Sequence, residues 1–244
     1  GTPDSNSAVS FFTAANFLAY GNNLSIVRAI GSNCFNADAN TAQTNVQIAN
    51  ADVFENLLLN GDNGNLYGPF MARYPGALGN SLSVSVIDTG NTARSDLFST
   101  APGTSDYVKN ITKTNSYDEM HIAVIDALGT FTGVRGAVIE KFAHISKASD
   151  ALNADGTSNY WVDVLTRNSK YIYPLNNSQN TYTNSVQVYP TQKVDTGCNW
   201  GNSAIQIATL SPRVFTQDIL PFPAVDPASM SVSITGTMTT QKLA

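Results

Sequence analysis

The residues with most chemical capacity in this chain are two histidines and two cysteines. Neither pair has the spacing that catalysis or metal binding needs. His121 and His144 each lie inside an apolar, strand-like run, with no His-Glu-x-x-His or Cys-x-x-Cys pattern beside them. They read as core or half-buried histidines. Cys34 and Cys198 stand far apart, without Cys or His neighbours at ligand spacing; they read as half-buried thiols, with one disulfide between them as the alternative. Asp118-Glu119 could serve acid-base chemistry, but adjacent residues on a strand point to opposite faces, so the pair reads as a solvated loop edge. Gly61-Asp62-Asn63-Gly64 lacks the lysine of a phosphate-binding loop and reads as a turn. Asn153 and Asp155 before Gly156 imitate part of a calcium loop whose first ligand and closing glutamate are missing. No Gly-x-Ser-x-Gly nucleophile row is present. The expectation is a protein without catalytic residues, cofactor or metal, and not an enzyme.

Composition supports that expectation. The 244 residues are 42% apolar, enough to bury a sizeable core, yet only 13% are charged. Asn, Ser, Thr and Gly fill the surface positions instead. A net charge of -5 with scattered Lys and Arg gives no basic field for a nucleic acid. Lys109 and Lys113 sit beside Asp106 and Asp118 and read as solvated surface. No run reaches the 18 or so apolar residues of a membrane span, so neither membrane nor nucleic acid is expected as a partner. The start at Gly1, before a turn-like Thr2-Pro3-Asp4, reads as a cut into a longer protein.

The elements expected to position these residues form an α+β fold: a mixed β-sheet with a few helices, followed by a β-rich C-terminal part. Residues 7–20 place Phe11, Ala15 and Leu18 on one helical face, with Asp4 or Ser5 as cap and Gly21 as the left-handed stop. A strand is expected at 24–30. Residues 31–50 read as an exposed connection, and Asp52 is expected to cap a short helix through Leu59. Residues 81–88 alternate Leu82, Val84, Val86 with Ser81, Ser83, Ser85, a strand with one apolar face. Residues 89–117 read as a long exposed excursion. Apolar runs at 121–125 and 136–145, separated by Gly129 and Gly133, predict a hairpin or neighbouring strands. A helix or extended segment is expected near 160–165 and a strand at 170–173. Short alternating runs at 185–189, 204–210 and 230–235 predict β structure, and Pro212, Pro221, Pro223 and Pro227 exclude a long helix over 211–228.

The row Arg73-Tyr74-Pro75-Gly76-Ala77-Leu78-Gly79-Asn80, running into the 81–88 strand, resembles the Tyr-Pro-Gly-x-x-Gly-Asn signature of contractile bacteriophage tail sheath proteins. Physically, Pro75 and Gly76 set a tight turn, and Gly79 with Asn80 allow a second positive-φ corner. A second row, Phe17-Leu18-Ala19-Tyr20-Gly21 followed by Leu24, Val27 and Arg28, is similar to the family's early helix-strand row. Residues 117–177 are more loosely similar to its next strands.

The resemblance covers about residues 1–177 and implies a tail-sheath-like α/β domain with exposed loops near 31–50 and 89–117. Residues 178–244 match no motif of the family and read as a β-rich variable or inserted region. The family's N-terminal arm and C-terminal assembly domain are not visible in this sequence. What the resemblance implies is a structural subunit that polymerises helically with other sheath subunits around a tail tube, meets baseplate proteins, and rearranges on contraction to drive genome delivery. Its place would be the virion tail, and the host cytoplasm during assembly. A β-rich adhesin or carbohydrate-binding module is the alternative, suggested by the Asn, Thr, Tyr and Trp content of residues 158–200.

Overall fold

A computed structural model describes residues 8–26, 30–31, 34–38, 46–56, 69–88, 95–175, 193–196, 200 and 208–209. The chain divides into two compact units, Gly1–Gly31 with Asp218–Ala244, and Ser32–Gln217. Helix α1 (Ala8–Leu18) belongs to the first. It buries none of its residues, and Val9, Phe11, Phe12, Phe17 and Leu18 are all exposed, so its apolar side chains wrap the helix and form no single stripe. Gly21 ends it without the left-handed backbone expected: its N–H donates to the Phe17 carbonyl at 2.9 Å, and its φ is not positive. Leu24 to Ile26 form no strand, and Val27 and Arg28 lie outside the described residues.

The second unit is built on a four-stranded antiparallel sheet in the order β4-β3-β2-β6, and the whole is an α+β mix. Its strands are β2 (Leu82–Ile87), β3 (Glu119–Asp126), β4 (Ala137–Ser146) and β6 (Ala208–Thr209). The alternation of residues 81–88 places Val84 and Val86 in the main core, but the serine face is covered too: Ser83 and Ser85 are also buried. A smaller antiparallel pair joins β1 (Phe70–Ala72) to β5 (Ile172–Pro174). Around it Phe54 stacks on Tyr173 at 4.0 Å, with Ile48, Met71 and Leu175 closing a second apolar cluster.

Helices fill the remaining flanks. In α2 (Ala51–Phe54) the cap is Asn50, whose side chain accepts from the Val53 amide; Asp52, expected as the cap, sits inside the first turn, and residues 57–59 lie outside the described set. Residues 95–117 were expected to be an excursion, yet they contain α3 (Asp106–Thr112), capped by Ser105, which sends Val108 into the main core. Likewise the 31–50 connection is not simply exposed: Cys34, Asn36, Ala37, Asp38 and Ile48 are buried. The ambiguous segment after residue 160 is helical, α4 (Trp161–Asn168), with Trp161, Val162 and Leu165 buried. Of the late alternating runs, only Ala208 and Thr209 fall among the described residues; 185–189, 230–235, the four late prolines and Cys198 do not. Among the described residues, no helix is long and apolar enough to cross a membrane.

Candidate functional site

The turn between β1 and β2 holds residues 73–80, in which Arg73, Gly76 and Gly79 each have a structural task. Arg73 leaves β1 with its amide bonded to the Tyr171 carbonyl at 2.8 Å. Its guanidinium donates to the carbonyls of Ser169 and Thr166 at the C-terminal end of α4, and lies 4.5 Å from the centre of the Tyr173 ring. A cation there meets the negative end of the helix and satisfies the free Thr166 carbonyl of its last turn and that of the capping Ser169. Pro75 and Gly76 are buried; Gly76 has φ 115, which favours glycine, and its N–H donates to the Phe35 carbonyl at 2.8 Å.

Residues 77–81 then form a single tight 3-10 turn, so the second positive-φ corner expected at Gly79 and Asn80 is absent. Gly79 is required for a different reason: a Cβ there would stand 2.7 Å from the Ala72 Cβ and 3.0 Å from the Ala37 Cβ. Asn80 is half-buried, and the exposed members of the row are Tyr74 and Leu78. The turn therefore locks β1, the 34–38 segment, β2 and α4 together and shows a tyrosine and a leucine to solvent. Of the helix-strand row, Phe17, Leu18 and Tyr20 are exposed and Leu24 is half-buried.

Three polar networks lie on the sheet. The first centres on Asp126, buried at the end of β3. Its carboxylate accepts from the Ser81 hydroxyl, the amides of Thr130, Phe131 and Thr132 at 2.9–3.0 Å, and the Thr132 hydroxyl at 2.9 Å. Burial alone would raise its pKa, but the Ser81 hydroxyl and the Thr132 and Phe131 donors outweigh that and bring it down to about 2. The carboxylate thus organises the Gly129–Gly133 loop before β4.

The second corrects the expectation for Asp118, which is fully buried and not solvated. It accepts from the Ser105 amide and hydroxyl, each at 2.8 Å, and from the Ser146 hydroxyl at 2.5 Å. It ties the start of α3 to the end of β4. Beside it Lys147, also fully buried, donates to Asp88 at 3.2 Å and to the Tyr117 carbonyl at 3.0 Å. Burial pushes the lysine pKa down, and Asp88 opposes the change.

The third joins both histidines. A β-bulge lies between the Met120–Ile145 and Ile122–Phe142 pairs, and in it His144 takes a left-handed φ of 53. That backbone turn directs the His144 N–H onto Nδ1 of His121 at 2.9 Å, while His121 Nε2 faces the Thr100 carbonyl at 2.8 Å. His144 is half-exposed, with Nδ1 against the Glu119 carboxylate at 2.9 Å. Glu119 also accepts from the Gly103 amide at 2.9 Å, so it too is engaged and not a loop-edge charge. Both histidines fill the core or half-buried places their apolar surroundings predict.

In chemical terms the networks are structural: their carboxylates and hydroxyls face backbone amides and one another across the domain. Among the described residues no group of three His, Cys, Asp or Glu could hold a metal ion. The Asn153–Gly156 row is a turn in which Asp155 accepts from the amide and hydroxyl of Thr157. Lys109 and Lys113 are exposed, as expected; of the aromatics that suggested a sugar platform, Tyr160, Trp161, Tyr173 and Trp200 are buried and Tyr171 is half-buried, while Tyr182 and Tyr189 lie outside the described residues. Sequence reasoning missed the Asp126 and Asp118 networks. The Thr130-Phe131-Thr132-Gly133 row after Asp126 is a signal for the first, since a carboxylate before such a row can accept its free amides.

No family model matches the chain. It is 26% identical over 136 residues to the tail sheath protein of Salmonella phage ViI, which amounts to 56% of this chain and 19% of that protein. The chain thus spans about a fifth of the length of that relative, and what it is similar to is a phage tail sheath protein.

Proposed function

We propose that this chain is a structural, non-catalytic module of a phage contractile tail sheath. In this reading it packs against copies of itself in a helical array around a tail tube, and the array shortens when the baseplate triggers it, driving genome delivery. Residues 1–177 would be the sheath-like part and residues 178–244 a variable or inserted region. Contacts to the tube and baseplate would lie in parts of a longer protein, working in the virion tail after assembly in the host cytoplasm.

The observation that carries the reading is the 26% identity to a phage tail sheath protein over 136 residues. Sheath contraction requires subunits that move nearly as rigid bodies between two lattices, storing energy in their contacts and consuming no nucleotide. The Asp126, Asp118 and Arg73 networks stiffen the unit in the way such motion needs. Tyr74 and Leu78 give the turn an exposed apolar edge suited to contact between copies. Expression of the gene that encodes this chain, followed by negative-stain electron microscopy, tests the reading: rings or helical tubes are expected, and single particles at every concentration would overturn it.

A further inference from the structure

Among the described residues β4 is an edge strand of its sheet, and its open side is tied down at both ends. At one end the Asn159 side chain donates to the His144 carbonyl at 2.9 Å, and the Ser146 amide donates to the Asn159 carbonyl at 2.8 Å. At the other, Glu140 accepts from the Ser169 hydroxyl and the Lys170 amide, each at 2.7 Å, which brings the end of α4 against the strand. Between these ties lies a hollow of about 540 Å³, lined by Lys141, Phe142 and Ala143 of β4 and by Val164, Arg167 and Asn168 of α4. Side chains alternate along a strand, so consecutive lining residues put the hollow at its edge. The short edge between the ties is too little to seat an added strand, whereas the volume is that of a small-molecule site.

The lining selects the chemistry of a ligand. It holds two cations and no carboxylate, in a chain whose net charge is -5. Arg167 commits Nε to the Asp163 carbonyl at 3.2 Å and Nη2 to the Ser158 carbonyl at 3.3 Å, which fixes the guanidinium plane and leaves Nη1 to donate. Lys141 gives one of its three donors to the Leu97 carbonyl. These groups call for an anion. The third wall, residues 153–159, adds acceptors: Asn153 and Asn159 spend their Nδ2 groups on the Thr157 hydroxyl and the His144 carbonyl and keep their Oδ1 atoms. An amide oxygen needs a donor, which a simple anion does not carry and a hydroxyl does. Phe142 and Val164, both half-buried, give the hollow an apolar face.

One class of small molecule combines a carboxylate, several hydroxyls and a ring with an apolar face. We propose that this hollow binds a sugar acid, with its carboxylate on Arg167 and Lys141, its hydroxyls donating to Asn153 and Asn159, and its ring against Phe142 and Val164. The exposed Asn168 amide both donates and accepts, and serves a further hydroxyl. Such a site needs no exposed aromatic platform: amide side chains and a bidentate cation supply the recognition. All of its residues belong to the second unit, and the inference does not depend on the sheath reading.

Amide 1H–15N spectra of the whole chain, titrated separately with glucuronate, glucose and acetate, test it. Glucuronate should give saturable shifts at residues 141–143 and 157–168, with a dissociation constant in the millimolar range. Glucose, which lacks the charge, and acetate, which lacks the hydroxyls and ring, should each bind at least about tenfold more weakly. Arg167→Gln should weaken glucuronate by about the same factor and leave the glucose titration as it was. Should that variant fail to fold, Lys141→Gln, at an exposed position, makes the same comparison. Absence of shifts around the hollow would overturn the proposal. So would acetate or glucose binding as tightly as glucuronate, since the site would then read charge alone or no charge at all, and so would glucuronate affinity unchanged in the folded variant.

Discussion

Lys147 Nζ lies 3.2 Å from Asp88 Oδ2, and neither side chain touches solvent. A buried ion pair of this kind adds little net stability over apolar packing, but removing one partner strands the other charge.

Replacing Lys147 by Met should therefore cost about 3–5 kcal/mol. The double variant Lys147→Met with Asp88→Leu should recover most of that loss. Urea denaturation of the three proteins measures both effects, and a double variant no better than the single one would mean that the pair is more than a compensated charge.

Asp126 gives a pH dependence whose sign follows from its lowered pKa of about 2. An unfolded carboxyl titrates near its ordinary value of 3.8, so the stabilisation is fully present above that value and is lost as pH falls from there towards 2. Asp126→Asn should cost roughly 2–3 kcal/mol at pH 7, because an amide cannot accept from every donor around it, and should flatten the acid limb of the stability curve. Thermal unfolding at pH 2.5, 4 and 7 compares the two proteins.

Gly79→Ala should destabilise by about 1–3 kcal/mol, since the added methyl overlaps Ala72. Ala72→Gly in the same chain should return part of that loss. Failure of the second change to help would place the clash at Ala37 instead.

Arg73 holds the end of α4 through two carbonyls and the Tyr173 ring. Arg73→Ala should cost about 2 kcal/mol and Arg73→Lys about 1, because an ammonium keeps the charge but loses the planar fork. Amide exchange at residues 166–169 should rise in both, more in the alanine variant.

The sequence by itself determined the features that local pattern controls. Alternation marks β2, the glycines after Asp126 mark the turn into β4, and the Tyr74-Pro75-Gly76 turn marks the entry to β2. Apolar surroundings placed His121 in the core and His144 half-buried. Tertiary structure alone decided where the polar residues went. Asp118 reads as surface until Ser105 and Ser146 arrive, 13 and 28 residues away, to satisfy it. Ser83 and Ser85 read as a wet face until neighbouring elements cover β2. Gly79 reads as a bend, yet what it supplies is space between Ala72 and Ala37. Hydrophobic periodicity is written within one element. The partners of Asp118 and the neighbours of Gly79 come from other elements, and no local spacing encodes them.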